Sequence, residues 1–261
     1  MKSVFSTCSY CGVGCGVRLS LDEATGCIDL AGDADYPVNK GMLCAKGMNL
    51  HHTVMDTSDR LTVPQMRGNR GLPLADTTWE AALNRTAKTF QALIKRYGPD
   101  SVGFYVSGQL LTEEYYLANK IIKGMIGSNN IDTNSRLCMS SAATAYKKSL
   151  GEDCVPVCYD DIDAADCLLI AGANPAWCHP ILFRRMEAAK AANPSCKWIV
   201  VDPRRTQSTQ QADLHLQLKP GSDVALFHAI ARCLIENGQT DAEFIRRHVN
   251  GFDELVQQVM S

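Results

Sequence analysis

Cys8, Cys11, Cys15 and Cys44 constrain this chain more than any other feature. They read C-x2-C-x3-C, then a gap of 28 residues to a fourth cysteine in Cys44-Ala45-Lys46-Gly47. Three thiols inside eight residues must converge on one small object, so this segment has to fold as a loop around it. Gly12 and Gly14 lie between the thiols and Gly16 follows them, which lets the backbone turn closely. Four convergent thiolates suit a cubane iron–sulfur cluster or a tetrahedral zinc, and a disulfide framework is the third possibility. Structural zinc sites favour two C-x2-C-like pairs. Only one such pair is present, which favours a [4Fe–4S] cluster.

The chain has 261 residues, enough to bury one large domain or two unequal ones. Hydrophobic content of 46% and charged content of 21% are those of an ordinary globular protein. A net charge of −2 gives no reason to expect nucleic acid or an acidic membrane surface as partner. The 12 cysteines lack the spacing of a small secreted scaffold, and clustered thiols in a long chain point to metal binding in a reducing compartment. The opening Met1-Lys2-Ser3-Val4-Phe5-Ser6-Thr7 has no apolar leader core, twin arginine or cleavage site, and no apolar run reaches the length of a membrane span. The expectation is a cytoplasmic protein if that start is native.

Residues 1–60 read as a small module of short strands, with a hairpin over Val17–Leu21 and Cys27–Leu30. A Pro/Gly/Arg-rich connection follows from Arg60 to Pro73. Thr77-Thr78-Trp79-Glu80 starts a helix whose apolar positions Ala82, Leu83, Ala87, Phe90 and Leu93 run to Tyr97-Gly98-Pro99. From residue 101 the rhythm becomes strand, loop, helix. Buried strands are predicted at Val102–Val106, Cys167–Gly172, Trp198–Asp202 and Leu214–Leu218, with helices over Thr112–Met125 and Ile181–Ala192 and from Asp223 and Asp241. The predicted class is α/β: a small N-terminal iron–sulfur module followed by Rossmann-like parallel α/β domains. The expected division is 1–60, 61–137 and 138–261, the last incomplete.

Ligands in such folds sit at the carboxyl ends of the strands. The loops there are Ser107-Gly108-Gln109, Gly172-Ala173-Asn174-Pro175, Asp202-Pro203-Arg204-Arg205-Thr206 and Gly221-Ser222-Asp223. Together they offer glycines for close approach, amides, an acid for ribose hydroxyls or a guanine edge, and two arginines for phosphate. Singly, each is an ordinary turn or helix start; four at successive strand ends point to a nucleotide with a pyrophosphate. No G-x-G-x-x-G is present, so a common NAD or FAD site is not supported.

Over essentially its whole length the chain resembles the molybdopterin oxidoreductases that carry Mo-bis(molybdopterin guanine dinucleotide). The resemblance rests on the four N-terminal cysteines, Lys46, Gln109, Asn134-Ser135-Arg136-Leu137-Cys138-Met139 and the three later loops, all in family order. It implies that Cys138 ligates molybdenum, a role for which a soft thiolate is suited. Alone, Cys138 would read as a small buried apolar residue. The resemblance further implies that Lys46 lies between cluster and pterin, and that Gln109 and Asn134 touch the cofactor, where otherwise they would read as a surface charge and loop polarity. Formate dehydrogenases of the family typically place histidine after the ligand cysteine, whereas Met139 resembles the nitrate reductases.

The implied activity is nitrate reduction to nitrite by an assimilatory enzyme, with ferredoxin, flavodoxin or a flavin/NADH subunit as electron donor. Formate oxidation by the same cofactor is the alternative within the family. A non-catalytic iron–sulfur electron-transfer subunit is the alternative of another class, and Cys138 in its motif argues against it. Family members are far longer, so this sequence reads as an N-terminal portion. The remaining cysteines, including Cys154-x3-Cys158, match no motif, and His51-His52 and Cys178-His179 have no assigned role.

Overall fold

The computed structural model describes residues 2–261 and divides into two compact units, the first ending at Cys158 and the second covering Tyr159–Ser261. The first unit begins with a three-stranded antiparallel sheet of β1 (Lys2–Thr7), β2 (Gly16–Leu21) and β3 (Ile28–Gly32), in that order. The anticipated hairpin is β2–β3, with Val17 opposite Gly32 and Leu21 opposite Ile28. Strand β1 was not anticipated. It runs Lys-Ser-Val-Phe-Ser-Thr with nearly every residue exposed, so no buried face marked it in the sequence. Two short helices follow, α1 (Ala45–Met48) and α2 (His52–Met55). The Arg60–Pro73 connection is irregular apart from β4 (Gln65–Met66), which pairs with β5 (Ala75–Asp76).

Helix α3 (Trp79–Tyr97) has the expected bounds and ends. Thr78 Oγ1 accepts a hydrogen bond from the Ala81 N–H at 3.2 Å, and Gly98 closes the helix at φ +87°, a conformation that favours glycine. Strand β6 (Phe104–Val106) pairs in parallel with β7 (Ile131–Thr133) as a two-stranded sheet. It is shorter than the predicted strand and is not buried: Val102 is, but Tyr105 is 71% exposed. Helix α4 (Thr112–Asn119) continues as a π-helical turn over Lys120–Ile126, which wraps the fully buried Ile122 and ends at Gly127. Helices α5 (Ser135–Cys138) and α6 (Ser140–Leu150) complete this unit.

The second unit opens with α7 (Asp160–Ala164) and builds a parallel sheet from β8 (Cys167–Ala171), β9 (Lys197–Val201) and β10 (Leu214–Leu216), ordered β10-β9-β8. Between the strands lie α8 (Pro175–Cys178) and α9 (Pro180–Ala192). Beyond them come α10 (Asp223–Glu236), α11 (Ala242–His248) and the unanticipated α12 (Phe252–Met260). The core gathers Ile170, Phe183, Met186, Cys196, Trp198 and Val200, with Phe183 edge-on to Trp198 at 5.9 Å. The four strand ends fall in two sheets: β6 belongs to a small sheet in the first unit, and β8, β9 and β10 form the sheet of the second. Burial misled here, because a run of Val, Phe and Tyr reads as interior whether or not a layer covers it.

Two ion-pair groups hold the second unit's elements. Arg185 of α9 is nearly buried and pairs with Asp160 and Asp163 of α7; these carboxylates, above all Asp163, raise its pKa further. Asp213, just before β10, accepts hydrogen bonds from Lys190 of α9 and from the Trp198 N–H at 2.7 Å. The Lys190 ammonium, then the Trp198 amide, lower its carboxyl to about 2. A carboxylate whose pKa is depressed on folding contributes stability above its ordinary value near 3.8, and that contribution is lost as the pH falls toward 2. Asp213→Asn is thus expected to lower the melting temperature modestly at pH 6 and to flatten its decline between pH 4 and 2, as thermal unfolding at several pH values will show. The carboxylate faces solvent, so the effect is small.

Candidate functional site

The loop between β1 and β2 carries Cys8, Cys11 and Cys15. The Cys8 N–H donates to the Cys15 carbonyl at 2.8 Å, which closes the loop at its base, and Gly14 turns inside it at φ +73°. Val13 and Cys15 are buried, while Cys8 and Cys11 are half-buried. Cys44, also half-buried, stands at the N-terminus of α1 behind the buried Leu43. Gly47 packs on the same group, since a Cβ placed there would lie 3.8 Å from Cys8 Sγ. Burial, then the neighbouring Cys8, Cys11 and Cys44, push the Cys15 thiol up to about 11. The four sulfurs share one electrostatic neighbourhood.

Among the described residues no three Cys, His, Asp or Glu side chains gather tightly enough to hold a single metal ion. A tetrahedral zinc, with Zn–S bonds of about 2.3 Å, needs a closer grouping than a cubane cluster, whose ligands stand at the corners of a larger body. An all-thiol donor set in a half-buried pocket fits the cluster. Lys46, on α1 two residues beyond Cys44, is exposed.

Gln109 and Cys138 lie on the two loops that leave the parallel pair β6–β7. Asn134 joins them: its Oδ1 accepts from the Gly108 N–H, and also from Thr133 Oγ1 at 3.2 Å. A Cβ at 108 would fall 2.7 Å from Asn134 Oδ1 and 2.8 Å from Ser135 Oγ, so a larger residue there would displace these side chains. Tyr115 steadies the first loop by donating to the Ser107 carbonyl at 2.7 Å, and Glu114 accepts from the Leu111 N–H at 2.9 Å. Cys138 ends α5 and is exposed, with Leu137 82% and Met139 40% exposed beside it. The residue expected to be buried if it were merely apolar is therefore presented outward. Tyr115 and Glu114 were passed over because, in sequence, they are ordinary helical residues.

In the second unit, Asn174, Trp177, Cys178, Arg204, Arg205, Thr206 and His215 line a cleft of about 870 Å³, together with Gln207, Thr209 and Gln210. That volume is within the range of small-molecule sites. The parallel register sets Ala171 and Leu216 on either side of Val201, so the loops after β8 and β9 leave the sheet side by side. The Gly172 N–H donates to the Val201 carbonyl at 2.9 Å, with Gly172 at φ +62°. Ser208, fully buried, donates to Asn174 Oδ1 at 2.6 Å and accepts from the Ala176 N–H at 3.2 Å.

The expected residues divide on this geometry. Asn174, Arg204, Arg205 and Thr206 line the cleft; Gly172, Ala173, Pro175 and Pro203 shape the loops without lining it. Asp202 does not line the cleft: it is buried, and its Oδ1 accepts from the Arg204 N–H at 2.8 Å. Gly221, Ser222 and Asp223 form the start of α10 and do not line the cleft either. Trp177 and His215 were missed. Trp177 is 71% exposed at the cleft, and a lone tryptophan after Asn-Pro-Ala gave no motif to find it by. His215 Nε2 donates to the Asp202 carbonyl at 2.8 Å. Thr206 Oγ1 is buried with no hydrogen-bond partner among the described residues. Two exposed guanidinium groups, an unpaired hydroxyl and an aromatic face suit a phosphorylated nucleotide.

Comparison with known proteins identifies the family. The family description "Molybdopterin oxidoreductase" matches residues 60–246, and "Molybdopterin oxidoreductase Fe4S4 domain" matches residues 1–56. A nitrate reductase of Shewanella frigidimarina is 46% identical over 99% of this chain and 27% of its own length. A periplasmic nitrate reductase of Desulfovibrio desulfuricans is 42% identical over 97% of the chain and 33% of its own. The F420-dependent formate dehydrogenase subunit alpha of Methanocaldococcus jannaschii is 36% identical over 97% and 36%. Among solved structures, the acetylene hydratase of Pelobacter acetylenicus superposes with a TM-score of 0.82 at 26% identity, over 98% of this chain and 35% of its own. The chain thus spans about a quarter to a third of the length of the curated relatives it matches. These families indicate molybdopterin and a 4Fe-4S cluster as cofactors. With a family match over most of its residues, the chain belongs to the molybdopterin oxidoreductases.

Proposed function

We propose that this chain supplies the cluster site, the molybdenum-ligating cysteine and part of the dinucleotide site of an enzyme that reduces nitrate to nitrite. The observation that carries the reading is the exposed Cys138, four residues after Asn134, whose Oδ1 accepts from the Gly108 N–H beside Gln109, in a chain whose four other motif cysteines lie close enough to act on one another electrostatically. The 46% identity to a nitrate reductase and Met139 after the cysteine support nitrate over formate. Cys8, Cys11, Cys15 and Cys44 would hold the [4Fe–4S] cluster, and Cys138 the molybdenum of Mo-bis(molybdopterin guanine dinucleotide).

When bound, the molybdenum supplies two-electron removal of an oxygen atom from nitrate, and the cluster supplies electrons singly. The balance is nitrate plus two electrons and two protons giving nitrite and water. Arg204 and Arg205 would bind phosphate oxygens of the dinucleotide, with Thr206 and Asn174 orienting them and Trp177 offering a stacking face. Gln109 and Asn134 would fix the loop on which Cys138 points outward. Lys46, placed just past Cys44, would keep a cation beside the cluster pocket. Segments 1–60, 61–137 and 138–261 would serve as cluster module, Cys138-bearing segment and nucleotide segment.

An assimilatory, cytoplasmic setting fed by ferredoxin, flavodoxin or a flavin/NADH subunit belongs to the same proposal. No helix among the described residues is long and apolar enough to cross a membrane.

Metal analysis of anaerobically purified protein tests this. Cys138→Ala is expected to retain iron while losing molybdenum and nitrate-dependent oxidation of a reduced viologen dye, by at least about 100-fold for loss of a group at the reacting centre. Formate-dependent dye reduction in place of nitrate turnover would overturn the substrate. Molybdenum retained in the variant would overturn the role of Cys138.

A further inference from the structure

Asn39 is fully buried and uses its whole amide. Its Oδ1 accepts from the Gly16 N–H at 2.8 Å, and its Nδ2 donates to the Gly16 carbonyl at 3.0 Å and to the Met42 carbonyl at 2.9 Å. Gly16 directly follows Cys15, and Met42 precedes Cys44 by two residues. The amide therefore bridges the two stretches that carry the cysteines, across the 28-residue gap between them. Nothing in the sequence marked it.

The surrounding backbone is built to seat this amide. Lys40 and Gly41 both take positive φ, +45° and +82°, so that the chain turns back beside Asn39. The Gly41 N–H donates to the Asp33 carbonyl at 2.8 Å, and the Asp33 N–H donates to the Gly16 carbonyl at 3.0 Å. Side chains are excluded where the layers meet. A Cβ at Gly32 would collide with the Gly41 carbonyl, and one at Gly16 with the ring of Tyr36. A non-glycine residue at positive φ is strained, so the turn at Lys40 depends on what the loop holds in place.

We infer that Asn39 is a positioning residue for the iron–sulfur cluster: it fixes the separation of Cys15 from Cys44 and so presets the four-thiolate pocket. This rests on the cluster reading above. Asn39 is no ligand itself. Its three hydrogen bonds terminate on backbone next to ligands, where loss of such support typically lowers metal affinity by about 10–100-fold.

The test compares Asn39→Ala and Asn39→Asp with Ser20→Ala, in the full chain purified without oxygen. Asn39→Ala removes all three bonds. Asn39→Asp keeps the acceptor for the Gly16 N–H but presents an oxygen to two carbonyls. Ser20→Ala breaks only a 2.8 Å hydrogen bond to Ser3 in the same sheet, a control for plain destabilisation. Iron per chain, the rate at which a ferrous chelator bleaches the visible absorption, and the cluster's midpoint potential are measured well below the melting temperature. Both Asn39 variants are expected to release iron about 10–100-fold faster, with an altered potential and an unchanged far-ultraviolet circular dichroism. Ser20→Ala is expected to release it at the wild-type rate.

Wild-type release in a folded Asn39 variant would overturn the inference, as would equally fast release from Ser20→Ala. If Asn39→Ala does not fold, the Asn39→Asp comparison alone decides. A wild-type chain that takes up no iron would overturn the cluster reading itself, and the inference with it.

Discussion

Cys44→Ser is expected to reduce iron from about four atoms per chain to near zero, with loss of the broad visible absorption of the cluster. The reason is geometric as much as chemical. Cys8, Cys11 and Cys15 stand in one short loop, and Cys44 alone reaches the pocket from the other side of the gap, at the start of α1. A hydroxyl in place of the thiolate leaves one corner of the cluster without its soft ligand and leaves α1 tethered only by Leu43 and its neighbours. Because ligand binding and folding are linked at such sites, the module over residues 2–56 is expected to lose protection from proteolysis along with its metal. Iron and acid-labile sulfide analysis checks the first part, and limited proteolysis the second. Full iron content in Cys44→Ser would remove Cys44 from the ligand set.

Trp198→Ala is expected to be the most damaging substitution outside the cluster. Trp198 is fully buried in the central strand of the second unit, packed edge-on against Phe183 and covered by the Lys190 ammonium at 5.2 Å from its ring. Removing a buried aromatic of this size costs about 3–5 kcal/mol, through lost transfer energy and the cavity left behind. Whole domains are stable by only about 5–15 kcal/mol, so the second unit should lie near the edge of unfolding. The Trp198 Nε1–H is buried with no hydrogen-bond partner among the described residues, which already costs the native state something. Trp198→Phe gives up that unpaired donor and keeps much of the ring, and should lose far less. Chemical denaturation of both variants, compared through their midpoints at unchanged slope, checks the ordering.

The sequence carried the elements whose signals are local. Helix α3 is legible over a start at Thr77–Glu80 and an end at Tyr97-Gly98-Pro99 because Thr78 caps one end and Gly98 stops the other, and both signals act within one turn of chain. The hairpin β2–β3 and the strands β8, β9 and β10 followed from runs of branched residues between turns. What escaped depends on partners far along the chain. Strand β1 has almost no buried side chain and exists because β2 offers it a free edge. Whether Phe104–Val106 joins the later sheet is decided by pairing, and it pairs with β7 instead.

The site shows the same division. The cysteine set, Arg204 and Arg205 announce themselves by type and spacing. Asp202 reads in sequence as an acid for ribose hydroxyls or a guanine edge; in the fold it is buried and its Oδ1 holds the Arg204 amide. Asn39 is an unremarkable polar residue in the chain and a fully buried strut in the fold.

Ser208 ties together the two walls of the cleft in the second unit. Its hydroxyl is fastened at once to Asn174 and to the Ala176 amide, while its backbone belongs to the segment that follows Arg204 and Arg205. The two walls of the cleft are therefore riveted at one buried point. Ser208→Ala would cut both bonds at once, so the arginine-bearing wall and the wall that carries α8 and Trp177 would lose their shared anchor together.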